Sequence, residues 1–152
     1  MDYIASRPHR CNEKPDQRRR SMPSADARSP ADTPEKLHMI IRDAINGTDL
    51  DAFCDAHEDD ASVVLPPDGA TAHGHDEIRA AIVPLLALGP EMETEVVKKL
   101  ETDGLALTHG LWRLAVTEHG SRSEHRGVGT MVSRQQPDGT WRIVLDDPLS
   151  GV

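Results

Sequence analysis

The apolar residues of this chain change their spacing once, at Gly89 and Pro90, and that change limits the fold to helices first and a sheet afterwards. Ahead of that point apolar side chains recur every three or four residues; beyond it they recur every second residue. Residues 57–88, HEDDASVVLPPDGATAHGHDEIRAAIVPLLAL, make the join by setting an acidic helix exit, a β-branched strand, a Pro/Gly turn and an amphipathic helix in succession. A pocket is expected beside this segment.

On the helical side, Thr33, Pro34 and Glu35 start a first helix. A hydroxyl is available to cap free amides, proline takes the first helical position and a carboxylate sits at the positive end of the dipole. Leu37, Ile40, Ile41, Ala44 and Ile45 form its apolar face, and Gly47 is read as its left-handed stop. Asp49 caps a second, short helix on which Leu50, Phe53, Cys54 and His57 repeat the spacing, ending near Glu58, Asp59 and Asp60. Residues 61–65 read as a strand stopped by Pro66, Pro67, Asp68 and Gly69. Gly74 opens a third helix, with Asp76 and Glu77 in its first turn and Ile78, Ala81, Ile82, Leu85 and Leu86 as its stripe. Pro84 predicts a kink or break there, leaving 85–88 as a separate turn.

On the sheet side, Met92, Thr94, Val96 and Leu100 alternate with Glu93, Glu95, Lys99 and Glu101 in a half-buried strand. Residues 105–117 differ, because both parities are largely apolar: Leu105, Leu107, Leu111 and Ala115 against Ala106, Trp112, Leu114 and Val116. Three helices can cover one face only, so a homodimer through the sheet is expected to cover the other. Two further strands, 124–134 and 141–146, complete the sheet.

Residues 1–32 are polar, interrupted by four prolines and without apolar period, and read as a disordered N-terminal arm; residues 33–152 are the folded domain. The arm carries a net charge of +2 and the domain −11. Arg18, Arg19 and Arg20 form a basic run in the arm, read as solvated. An acidic domain with two Trp, one Tyr and one Phe in the whole chain repels phosphate backbones and has little with which to stack bases, so no nucleic acid is expected as partner. Two cysteines, Cys11 in the arm and Cys54 on a helix, do not make a disulfide framework. With no apolar run approaching the ~20 residues that span a bilayer, no membrane is expected either, and the location reads as cytoplasmic.

The order of elements and the phrases HEDDASVVLPPDG, GHDEIRAAI and PDGTWRIVLDDP resemble the SnoaL-like and ketosteroid-isomerase-like branch of the nuclear-transport-factor-2-like superfamily over about residues 33–148. The resemblance implies an α+β cone, a strongly bent antiparallel sheet wrapped around three N-terminal helices, with a pocket at its open end and commonly a dimer. It also implies a test. The superfamily's isomerases use a carboxylate base, a tyrosine and a protonated acid, and here Leu65 stands where the base belongs, Ile41 where the tyrosine belongs and a glycine near Gly129 where the second acid belongs. Steroid isomerisation by that mechanism is therefore not expected.

The polyketide-cyclase branch works instead with a histidine and an aspartate borne on sheet strands. His109, Arg113 and Asp146 are the candidate catalytic residues on that reading, with Leu65, Trp112, His125, Arg126 and Trp141 as candidate ligand contacts. A paired Asp and His make a base poised near neutral pH, and an arginine stabilises an enolate. His73 and His75 lack a third ligand at metal-site spacing, so no metal is expected; nor is there a glycine-rich phosphate loop or a nucleophile elbow, and no cofactor is expected. The expected activity is cofactor-independent acid/base chemistry on a small, apolar organic molecule. The alternative is a non-catalytic dimerisation or ligand-sensing module.

Overall fold

The computed structural model describes residues 29–151. Arg18, Arg19, Arg20 and Cys11, with most of the expected arm, lie outside the described residues. The last part of that arm is engaged: Ala31 is buried and its carbonyl accepts the backbone N–H of Trp141 at 2.8 Å.

Helix α1 (Pro34–Asn46) buries the expected face, Leu37, Ile40, Ile41, Ala44 and Ile45, and His38 with it. Two local details differ from expectation. Thr33 is extended ahead of Pro34 but makes no side-chain cap, and Gly47 is right-handed at φ −87°, the left-handed turn falling on Thr48 at φ 51°. Asn46 joins the helix to the sheet, its amide N–H donating to the Met92 carbonyl at 2.9 Å and its Oδ1 accepting the Met92 N–H at 2.6 Å. Helix α2 (Leu50–Asp55) begins with the Asp49 carboxylate accepting the Ala52 N–H.

His57 was expected on α2 but opens β1 (His57–Leu65), because α2 ends at Asp55 and the chain extends four residues earlier than the run of β-branched residues suggests. Residues 70–73, assigned no element of their own in the sequence reading, form β2 (Ala70–His73), antiparallel to β1. Helix α3 (Gly74–Leu86) runs on through Pro84 to Leu86 as one assigned helix. Pro84 and Ala80 are both exposed, so the ring lies on the solvent side and the Ala80 carbonyl it strips of a partner faces water.

Strands β3 (Glu91–Thr102), β4 (Leu105–Glu118), β5 (Ser121–Gln135) and β6 (Trp141–Asp147) complete an open six-stranded sheet in the order β2-β1-β6-β5-β4-β3. Neighbours are antiparallel except β1 and β6, which run parallel. The helices cover one face. Along β4 the covered parity is Ala106, Thr108 and Gly110, all buried, while Leu105 and Leu111 on the other parity are exposed. On that outer face Leu100, Leu107, Val132 and Leu145 stand in register across four strands, with Leu100 56% and Leu145 50% exposed. The architecture is the α+β arrangement expected, with its core between helices and inner sheet face. No helix among the described residues is long and apolar enough to cross a membrane.

Candidate ligand cavity

A β-bulge decides which way the chemistry points. Strict alternation from the buried Trp141 and Ile143 would turn Leu145 inward and Asp146 outward. The pairing of β5 with β6 steps from Ser133↔Ile143 to Val132↔Leu145, so Val144 is an extra residue. Beyond it the parity is reversed: Leu145 is exposed and Asp146 is 8% exposed, facing inward beside Met131 and Val63.

Behind Asp146 lies His57, fully buried. Its Nε2 is 3.7 Å from the Asp146 Oδ2, and its Nδ1 is 2.8 Å from the Phe53 carbonyl. A carbonyl only accepts, so Nδ1 carries a proton and the remaining nitrogen, Nε2, is directed at the carboxylate with no hydrogen-bond partner of its own among the described residues. The ring also packs on Phe53, centroids 5.0 Å apart. This Asp/His pair is held by α2 and β1 on one side and by the bulged strand on the other.

A second buried histidine approaches from α1. His38 Nε2 is 2.7 Å from Thr108 Oγ1 on β4, and the ring lies over Gly110, where an added Cβ would come within 2.7 Å of Nδ1. Burial pushes the His38 pKa below its ordinary value, opposed by the negative charges of Asp146 and Glu35. The imidazole is therefore neutral at neutral pH.

Asp146 and His38 open into one cavity of about 110 Å³, walled otherwise by apolar side chains of α1, β1, α3 and the sheet. An apolar cavity of roughly 150 Å³ accepts benzene, so this one suits a small molecule of about that size. Leu65, Ile41 and Gly129, the positions where an isomerase would carry its base, tyrosine and second acid, all line it. A wider cleft of about 610 Å³ near Asp49, Asp51, Asp55 and Asp138 is open to solvent. Three of its carboxylates are engaged: Asp49 with Ala52, Asp51 with Arg79 and Asp138 with Thr140.

Of the residues singled out in the sequence, Asp146, Leu65 and Trp112 line the cavity, and the indole N–H of Trp112 donates to the Pro148 carbonyl at 2.8 Å. The others are elsewhere. His109 pairs in register with Thr130 on the outer face and is bonded to its hydroxyl at 2.9 Å. Arg113 and Arg126, opposite each other in register, belong to an exposed ladder in which Arg113 bonds Glu93 and Glu124, and those carboxylates raise its pKa. His125 shares the inner parity of β5 but is exposed toward its far end. Trp141 is core, beside Ala31 and Leu37. His73 bonds Ser62, and His75 donates to the His57 carbonyl.

Residues 40–144 match the sequence pattern of the SnoaL-like domain. The chain belongs to the SnoaL-like domain family. A search of curated proteins found no match. Among solved structures, this SnoaL-like domain is similar to a ketosteroid isomerase-like protein from Erwinia carotovora atroseptica (TM-score 0.67, 18% identity, covering 74% of this chain and 88% of that one). It is similar also to a calcium/calmodulin-dependent protein kinase type II association domain from Thiobacillus denitrificans, so described in its source (0.66, 18%, 80% and 99%), and to an NTF2-like protein with a cystatin-like fold from Novosphingobium aromaticivorans (0.63, 19%, 74% and 75%). At these identities the likeness concerns the fold alone.

His38, which lines the cavity, and His57, which lies behind Asp146, are the candidates that sequence reading missed. His57 was absorbed into a helical stripe of apolar residues, and His38 passed as one polar residue beside Leu37. The available signal was that both stand next to positions that must be buried.

Proposed function

We propose that this SnoaL-like domain binds a small, largely apolar organic molecule in the cavity and moves a proton on it, with Asp146 as general base and no cofactor. The observation that carries the reading is the pairing of Asp146, the one carboxylate lining the largely apolar cavity among the described residues, with the buried and tautomerically fixed His57. When Asp146 takes a proton from the bound molecule, its carboxyl group can turn slightly and donate that proton to the Nε2 lone pair of His57. The 3.7 Å separation is a little beyond hydrogen-bond distance, so a small rotation suffices. The proton is thereby held while the bound molecule rearranges and is returned to another of its atoms.

Small uncharged cyclic ketones incubated with the protein in heavy water test this directly. Binding with deuterium incorporation beside the carbonyl, lost in Asp146→Asn, is the expected result; binding without incorporation removes the catalytic part of the proposal.

The outer leucine row favours a second reading, in which the domain serves as a dimerisation or ligand-sensing module. Leu100, Leu107, Val132 and Leu145 present a continuous apolar line that the chain's own helices leave uncovered. A homodimer through this face is compatible with either reading, because the cavity opens on the opposite side of the sheet.

A further inference from the structure

We propose that His38 selects the ligand: its Nδ1–H donates into the cavity, and the preferred ligand is a small uncharged molecule bearing a hydrogen-bond-accepting oxygen. This rests on the reading of the cavity as a ligand site.

The tautomer follows from Thr108. Its hydroxyl is buried and bonded to His38 Nε2 at 2.7 Å, with no other partner for that oxygen among the described residues. If Nε2 carried the proton, the hydroxyl would accept it and its own hydrogen would be buried without an acceptor. If Nε2 is bare, Thr108 donates to it and both groups are satisfied. The imidazole proton is then on Nδ1, which has no partner among the described residues.

Gly110 gives that nitrogen its outlook. The point where a Cβ would stand lies 2.7 Å from Nδ1 and 3.5 Å from Thr94 Oγ1, so the absent side chain leaves a polar notch in an apolar wall, and His38, Thr94 and Gly110 all line the cavity. The Thr94 hydroxyl donates to the Leu111 carbonyl. Among the described residues no lysine or arginine lines the cavity, and the Asp146 charge acts on the His38 ring, so a carboxylate or phosphate ligand meets repulsion without a compensating cation there. Burial of His38 keeps the ring neutral, a single donor rather than a cation.

Four probes of one ring size separate the possibilities: cyclohexanone, its isostere methylenecyclohexane, cyclohexylamine and cyclohexanecarboxylate, titrated into the whole protein and followed by NMR. Cyclohexanone is expected to bind roughly tenfold more tightly than methylenecyclohexane, the worth of one hydrogen bond made in place of none. The double variant His38→Phe with Thr108→Val removes the donor without stranding the hydroxyl, and is expected to lose that preference while still binding methylenecyclohexane. Equal affinities in the unaltered protein, a preference that survives in the double variant, or tightest binding of the amine or the carboxylate overturns the assignment of His38 and leaves the cavity reading standing. Failure of all four probes to bind overturns the cavity reading, and this inference with it. Nitrogen-15 NMR of the unaltered protein provides a check independent of any variant: a proton on His38 Nδ1 is expected, and a proton on Nε2 overturns the proposal.

Discussion

His57 and Asp146 meet where β1 runs parallel to β6, with Nε2 of the imidazole 3.7 Å from Oδ2 of the carboxylate and the other ring nitrogen tied to the Phe53 carbonyl at 2.8 Å. The ring cannot turn away without breaking the Phe53 bond. A buried nitrogen is thus held ready beside a carboxylate that reaches the cavity.

Asp146→Asn keeps the shape of the side chain and removes its basicity. Affinity for a small ketone is expected to change less than about threefold, the scale of a weak polar adjustment. Deuterium incorporation into the bound ketone is expected to fall by about 10²–10⁴-fold, the usual worth of a positioned base. Proton NMR in heavy water reads both quantities.

His57→Leu removes the Nδ1–H that the Phe53 carbonyl accepts and the nitrogen facing Asp146. A loss of about 1–3 kcal/mol in urea denaturation is expected, the cost of stranding a buried polar partner. Because the carboxylate keeps its place in the cavity, ligand binding should persist in the folded fraction, measured by the same titration.

Gly110→Ala inserts a methyl group 2.7 Å from the His38 Nδ1 and 2.8 Å from its Cε1. The ring must shift out of its place over β4, with a destabilisation of about 1–3 kcal/mol expected for overpacking a core. Gly127→Ala meets the Trp112 ring at 2.5 Å in the same manner and is expected to displace a cavity wall. Denaturant midpoints and the Trp112 indole N–H resonance report the two effects.

The depressed pKa of His38 makes stability depend on pH in a definite sense. The unfolded chain binds the proton near the ordinary histidine value of about 6.5, and the folded chain does so only at lower pH. The contribution is therefore complete above about pH 6.5 and is lost as pH falls through the folded value. The charges of Asp146 and Glu35 oppose the shift and narrow the window. Urea midpoints measured across pH 4–8 should drop more steeply on the acid side for the native chain than for the His38→Phe, Thr108→Val variant.

Leu145→Glu places a charge at the end of the outer leucine row, and Leu107→Lys places one near its middle. Sedimentation at micromolar concentration is expected to show a dimer for the native chain and a monomer for either variant, with thermal stability little changed because these faces are not in the core. A native chain that sediments as a monomer would remove the dimer from the proposal.

Much of the architecture was legible in the chain itself. The helical spacing of Leu37, Ile40, Ile41, Ala44 and Ile45, the strand stop ending at Gly69, and the phrases that resemble SnoaL-like proteins each reflect local chemistry: apolar periodicity, a positive-φ glycine, capping carboxylates. Such signals act over a few residues and are visible wherever they occur.

The composition of the site was decided by tertiary structure. Alternation along β6 points Asp146 out, and one extra residue, Val144, points it in; nothing local announces a bulge that depends on pairing with β5 and β1. His109 and Arg113 look well placed on a strand apolar on both parities, yet only the docking of α1, through His38 on Thr108 and Asn46 on Met92, settles which face is inside. Residue spacing determines which side chains share a face. Which face becomes the cavity is set by contacts between residues seventy or more positions apart, as His38 and Thr108 are, and those exist only once the chain has folded.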